Sequence, residues 1–192
     1  MFNIKQGDIF PTQFYSIDIF DAVENQKYKN FLLDLSKKDP GTTRSNRGGW
    51  QSDTFLWKEE TFKPLLEKTV HITQSIIKDI SSNQPEMVIR SMWGNINPKG
   101  GMNFTHVHPS GWMSGVYYIQ LPEGTEGITF QDPRPARMMD FQRSCLISDE
   151  YFSHKPKVGE LLLFPSWLPH FVLPNTTEQD RISISFNIEL LV

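Results

Sequence analysis

Two of the chain's five histidines stand one residue apart, in Thr105-His106-Val107-His108-Pro109. In an extended backbone, side chains at i and i+2 project to the same side, so His106 and His108 can present two imidazoles to one divalent ion. Histidines before a proline also occur in ordinary surface loops, and a third, distant group is needed to make a site. His170 is that group: it follows Gly159-Glu-Leu-Leu-Leu-Phe-Pro165, which reads as a buried strand, and a turn through Ser166-Trp-Leu-Pro169. Eleven residues further on, Arg181 opens Arg181-Ile-Ser-Ile-Ser-Phe-Asn187. A guanidinium takes a carboxylate through two parallel hydrogen bonds, and a nearby serine hydroxyl adds a donor. Ser183 and Ser185 mark the face that carries Arg181 as a hydrogen-bonding wall rather than a solvated rim.

These residues need a scaffold, and the texture of the chain changes once, near residue 85. Before it, Phe20, Val23, Tyr28, Phe31, Leu32 and Leu35 recur mostly at helical spacing within Ile17 to Lys37, with Pro40-Gly41 as a stop. A second stripe runs through Phe62, Leu65, Leu66, Val70, Thr73, Ile76, Ile77 and Ile80, with Pro64 tolerated in the first turn. The polar, glycine-rich stretch from Gly41 to Asp53 between them reads as a long loop, a place where function collects. After residue 85 the pattern is strands: Met87 to Asn97, Ser114 to Leu121, Gly127 to Asp132, Glu160 to Phe164, Phe171 to Leu173 and Arg181 to Leu190. The last alternates strictly, with Ile182, Ile184, Phe186 and Ile188 opposite the polar set. Short strands after two helices predict a mainly β chain, an antiparallel sandwich or jelly roll with flanking helices that buttress one sheet.

Composition removes several function classes. At 192 residues the chain is the size of one domain, 1–192, with a helical buttress over 1–85 and most of the jelly-roll core over 86–192. A net charge of -3 makes nucleic acid an unfavoured partner. No segment approaches the roughly 20 apolar residues of a membrane span. The lone cysteine, Cys145, excludes an internal disulfide framework. Lys5 and Asp8 interrupt the stretch where a signal peptide would be apolar. These features predict a soluble, cytoplasmic domain whose partner is a small-molecule or peptide substrate. Exposed strand edges leave room for a homodimer.

The combination of a histidine pair on a strand, a glycine-led strand running to a distal histidine, and Arg-x-Ser resembles the double-stranded β-helix oxygenases that use iron(II) and 2-oxoglutarate. The likeness covers about residues 87 to 190. The strings His106-Val-His108-Pro109, Ser114-Gly-Val-Tyr-Tyr118, Asp132-Pro-Arg134 and Arg181-Ile-Ser-Ile-Ser-Phe-Asn187 are most similar to small oxygenases of marine bacteria and phages. They are distantly similar to prolyl 4-hydroxylases. The resemblance implies Fe(II) and 2-oxoglutarate as cofactors, conversion of the latter to succinate and CO2, and hydroxylation of a substrate whose identity stays open. It implies that Arg181 and Ser183 hold the cosubstrate's far carboxylate, with Asn103 and either Tyr117 or Tyr118, Tyr117 being preferred, as further hydrogen-bonding groups. The superfamily's usual ligands are His-x-Asp/Glu and a distal His, and here His108 stands where the carboxylate belongs. The iron site is then His106, His108 and His170, or Asp132 replaces His108.

Arg134 and the Arg44 to Gln51 loop with Trp50 are the candidate substrate contacts. Trp93 and Trp167 read as core or pocket wall, while His71, on the second helix, and His154, in the polar Ser153-His-Lys-Pro156 stretch that reads as a loop, fall outside the site. Two other readings compete. A cupin fits Gly100-x5-His106-x-His108 in part, but the glutamate expected soon after the histidine pair is absent and Ser114 occupies that region. A jelly-roll module without metal or catalysis is the other.

Overall fold

The structure, a computed structural model, describes residues 4–5, 7–109, 111–135 and 150–191. Cys145 lies outside the described residues. In chain order the elements are β1 (Tyr15–Asp18), α1 (Ala22–Lys38), β2 (Asn46–Arg47), β3 (Trp50–Gln51), α2 (Lys63–Ile80), β4 (Glu86–Asn97), β5 (Met102–His106), β6 (Met113–Gln120), β7 (Ile128–Gln131), β8 (Tyr151–His154), β9 (Glu160–Pro165), β10 (His170–Val172) and β11 (Arg181–Leu191). They form two antiparallel sheets, β1-β9-β6-β11-β4-β3 and β2-β5-β10-β7-β8, the two faces of a double-stranded β-helix. No described helix is long and apolar enough to cross a membrane.

The period-two pattern of β11 does in space what it predicts. Ile182, Ile184, Phe186 and Ile188 are fully buried on the face that meets α1 and α2, together with Met92 and Ile96 of β4 and Leu161 and Leu163 of β9. Burying an aliphatic or aromatic side chain of this size contributes about 1.5–3 kcal/mol each, so this face anchors the large sheet. A second core lies between the sheets, where Val116 and Tyr118 of β6, Ile128 and Phe130 of β7, and Leu162 and Phe164 of β9 close one end of the sandwich. The other end stays open as a cavity.

Three local readings are corrected. The helical pattern assigned from Ile17 begins instead as β1, which pairs with Leu161 to Leu163 of β9, and α1 starts only after Asp21. The carboxylate of Asp21 accepts hydrogen bonds from the backbone N–H of Val23 and Glu24, both at 2.9 Å, which fixes the start there. The Gly41 to Asp53 loop contains the two-residue strands β2 and β3, which extend the small and the large sheet at one edge each. The polar Ser153-His154 stretch, read as loop, ends β8 on β7. Short strands such as these follow from pairing across the chain, which local periodicity does not register.

Gly94, in the middle of β4, lets α1 settle on the sheet, because a Cβ there would collide with the Leu32 side chain. Gly94→Ala is therefore expected to destabilise the fold by about 1–3 kcal/mol through overpacking. Denaturant unfolding of Gly94→Ala, Leu32→Ala and the double variant tests this: the double variant should lose clearly less than the two single losses added together. Strict additivity would show that the collision is not what the glycine avoids.

Candidate metal centre

β5 and β10 are antiparallel neighbours, and His170 stands directly opposite His106. Their ring centroids are 4.3 Å apart. His108 lies just past the end of β5, where its backbone N–H donates to the Ser166 carbonyl at 2.8 Å and so ties the histidine segment to the turn before β10. The His108 ring lies 5.0 Å from that of His106 and 5.2 Å from that of His170. One nitrogen from each of the three lies within 4.8 Å of the others. Among the described residues this is the one cluster of metal-ligating side chains, and Asp132 is not part of it.

Hydrogen bonding settles which nitrogen is available. The Nδ1 of His106 meets the Phe104 carbonyl at 2.7 Å and that of His170 meets the Leu168 carbonyl at 2.9 Å. A carbonyl oxygen only accepts, so each Nδ1 carries the proton and each Nε2 keeps its lone pair for a ligand bond. Burial lowers the pKa of His106, against a smaller opposite pull from the Phe104 carbonyl. Burial, then the charge His106 would carry, brings His108 down to about 4. The same two causes, burial foremost, bring His170 down to about 3. At neutral pH the rings are uncharged, the form that binds a metal. Trp93 and Phe164 supply part of that dry setting, with ring centroids 5.6 Å from His108 and 4.8 Å from His170.

The histidines open into a cavity of about 660 Å³, within the range of small-molecule sites. Arg181, only 5% exposed, forms part of its wall, and its Nη1 donates to the Glu126 carbonyl at 3.2 Å. Among the described residues no carboxylate pairs with this guanidinium. Burial, partly offset by Tyr118, lowers its pKa to about 10, which leaves it charged at neutral pH. An enclosed, unpaired cation is costly unless an anion joins it. Ser183 lines the cavity two residues along the strand, and so does Asn103, whose amide is held by Asn97 Nδ2 at 3.1 Å and Ser45 Oγ at 3.2 Å. Neutral imidazoles with free lone pairs, close enough to share one ion beside an unpaired guanidinium, fit iron(II) together with a dicarboxylate.

Other expected site residues lie elsewhere. Tyr117 faces the helices and donates to Asn25 Oδ1 at 3.2 Å, whereas Tyr118, its neighbour on the opposite face of β6, lines the cavity. Trp50 packs on the helical side with its indole N–H on the Asp39 carbonyl at 3.0 Å, while Arg44, Ser45 and Gln51 of the same loop reach the cavity. Asp132 and Arg134 form a bidentate pair, at 2.9 and 2.5 Å, at the edge of a different cavity with Phe14 and Trp167. His154 lies outside the histidine cluster, bound to Glu160 Oε1 at 2.6 Å. Ser91 and Asn95 of β4 and Ser114 and Asn187 line the histidine cavity and were not singled out as contacts from the sequence. The signal for the β4 pair was their parity with Trp93.

Residues 91–187, just over half of the chain, match the family described as "Putative 2OG-Fe(II) oxygenase". No protein of curated function matches by sequence. Solved structures of the same fold include a prolyl-4-hydroxylase of Pseudomonas putida, at 14% identity and a TM-score of 0.64, covering 94% of each chain. A viral collagen prolyl hydroxylase of Paramecium bursaria Chlorella virus-1, in a 2-oxoglutarate complex, aligns at 17% identity and a TM-score of 0.62 over 93% of this chain and 96% of that one. HygX from Streptomyces hygroscopicus, with nickel and 2-oxoglutarate bound, aligns at 16% identity and 0.67 over 93% and 83%.

The lowered histidine pKa values have a sign that can be checked in the metal-free protein. Unfolding returns each ring to its ordinary value near 6.5, so between that pH and the folded values the unfolded chain binds more protons. Stability should therefore fall as pH drops from about 6.5 toward 4, by up to about 1.4 kcal/mol per pH unit for each ring. Chemical unfolding from pH 7 to pH 4.5 should show this slope in the native chain and a shallower one in His170→Ala. Equal slopes would show that the rings are not held neutral by the fold.

Proposed function

The chain belongs to the 2OG-Fe(II) oxygenase family, and from that premise we propose that it is a hydroxylase whose iron is held by His106, His108 and His170 and whose 2-oxoglutarate is anchored by Arg181 and Ser183. As a member of this family it is an iron(II)- and 2-oxoglutarate-dependent enzyme, which sets aside the cupin and the non-enzymatic module. When bound, the metal and cosubstrate would supply the oxidising chemistry, with dioxygen as the oxidant: one of its oxygen atoms ends in succinate as 2-oxoglutarate loses CO2, and the other ends in the hydroxyl group of the substrate. The observation that carries the assignment of roles is the pairing of a three-imidazole cluster with a buried, unpaired guanidinium on one cavity.

Each residue has a separate task in this reading. The Phe104 and Leu168 carbonyls hold the imidazoles of His106 and His170 in the tautomer that ligates through Nε2. Arg181 and the Ser183 hydroxyl orient the cosubstrate from its far end, so that its other end meets the metal. Tyr118, rather than Tyr117, is placed to add a phenolic donor, and burial keeps that phenol protonated. Phe164, Val116 and Trp93 exclude water from the reacting end of the cavity. The substrate is a small molecule or peptide that enters past Arg44 and Gln51. The reading further includes a cytoplasmic location, which the low cysteine usage supports.

Anaerobic calorimetry with manganese(II) in place of iron(II), followed by 2-oxoglutarate, tests the assignment. His106→Ala and His170→Ala should each weaken metal binding by at least about 100-fold, in line with losing one of few ligand bonds. Arg181→Gln should leave metal binding within about threefold and weaken 2-oxoglutarate by about 10- to 100-fold, the range for a hydrogen-bonded charge pair. The assignment fails if Arg181→Gln binds 2-oxoglutarate like the native chain. Succinate release on reconstitution with iron(II), screened over metabolite and peptide pools, then locates the substrate.

A further inference from the structure

This inference rests on the reading above and concerns the part of the same cavity that metal and cosubstrate leave to a substrate. Its described lining contains two arginines, Arg44 and Arg181, and no aspartate, glutamate or lysine. Arg181 is the buried one. Arg44 is exposed at the rim, and among the described residues its guanidinium has no hydrogen-bond or ion-pair partner.

The backbone that presents Arg44 is nonetheless fixed. The Arg44 N–H donates to Asn46 Oδ1 at 2.7 Å, and Asn46, only 5% exposed, donates through Nδ2 to the carbonyls of Thr42 and Gly49 at 3.1 and 3.0 Å. The Ser45 carbonyl in turn accepts at 2.9 Å from the N–H of Phe104 on β5, the strand that ends in His106. A free cation on a pinned loop, joined to the strand that carries the metal cluster, is built like a recognition element rather than a loose surface arginine.

The charge of the centre points the same way. Three neutral imidazoles contribute no negative charge, where a His-x-Asp/Glu set would contribute one. An iron(II) ion and Arg181 together bring three positive charges against the two negative charges of 2-oxoglutarate, so the filled site stays net positive. In a poorly screened cavity that excess disfavours a cation and favours an anion. The remaining wall is neutral but polar. Asn95 Nδ2 donates to Ser185 Oγ at 3.1 Å, which leaves the Asn95 carbonyl oxygen and the Ser185 hydroxyl proton to serve a ligand, with the Gln51 amide beside them. A hydrocarbon there would leave those groups unpaired.

We propose that the substrate is a small polar molecule bearing an oxyanion, a carboxylate or a phosphate, held by Arg44 at the rim while its uncharged polar part lies against Gln51, Asn95 and Ser185.

The test uses the full chain loaded anaerobically with manganese(II) and 2-oxoglutarate, so that binding is read without turnover. Melting temperature and calorimetry are recorded with N-acetylated amino acids, the same compounds as primary amides, sugar phosphates and polyamines. The acids or the sugar phosphates should bind and raise the melting temperature, and the amides and polyamines should not; which anionic set responds identifies the source of the oxyanion. Arg44→Gln should weaken the responding set at least tenfold, and Arg44→Lys should fall between. Three results would overturn the inference: no anionic set binds, amides or polyamines bind as well as the anions, or Arg44→Gln binds the anions unchanged. A tenfold loss of 2-oxoglutarate binding in Arg44→Gln would overturn it too, by placing Arg44 in the cosubstrate site. Failure of the native chain to take up manganese(II) or 2-oxoglutarate would instead count against the functional reading itself.

Discussion

The pairing of β10 with β5 is the constraint on which the three-histidine cluster depends. Residues directly opposite in an antiparallel pair bring their Cβ atoms to about 4.5–5.5 Å, so register alone places His170 beside His106. A slip of one residue would turn one of the two to the other face of the sheet. The slip is opposed from the other side, where His170 also pairs with Phe130 of β7, and Phe130 packs edge-on against Phe164 at 4.9 Å in the core between the sheets. The hydrophobic closed end of the sandwich thus sets the geometry of the polar open end.

The large sheet plays the complementary part. One face of β4, β6 and β11 is given to apolar contact with the helices, and the alternate positions are released to face the cavity, where Asn95, Tyr118, Arg181 and Ser183 stand. Placing a guanidinium there is unfavourable for the empty protein, because its charge is desolvated with one backbone carbonyl as hydrogen-bond partner. Native domains are stable by only about 5–15 kcal/mol, so such a residue is tolerable only on a rigid frame. The same unfavourable term becomes binding free energy when a carboxylate enters, and the ligand then stabilises the fold that holds it.

How much of this was legible in the sequence follows from the physics of each signal. The polar face of β11, the His106/His108 pair and His170 were readable because side-chain period is a local property and ligand residue types are rare. Their meeting was readable only through the resemblance, since no spacing specifies which strands pair. Tyr117 and Tyr118 could not be told apart because both faces of β6 are buried and apolar, one against the helices and one between the sheets, so alternation carries no direction. In the loop from Gly41 the most conspicuous residue, Trp50, packs on the helical side, while Arg44, Ser45 and Gln51 line the cavity, a division that composition does not reveal. Arg134, just past the end of β7, is tied to Asp132 on a second cavity, and its separation from the histidines has no signature in the sequence.

The fate of Asp132 also bears on the chemistry. A carboxylate already gripped by two hydrogen bonds from one guanidinium is a weak competitor for a metal, because ligation would strip Arg134 of its partner as well as move the strand end. His108 has the opposite circumstances: its backbone N–H is fastened to the turn that leads into His170, and its ring is dry and neutral beside Trp93. A centre built from these imidazoles alone would leave the protein with no negative charge of its own at the metal. Charge balance would then come from what binds, first from the dianionic cosubstrate and, under the inference above, from the substrate. In such a site selectivity for anions would arise at the metal itself, and under the proposed assignment the arginines at the wall and the rim would give that preference its direction.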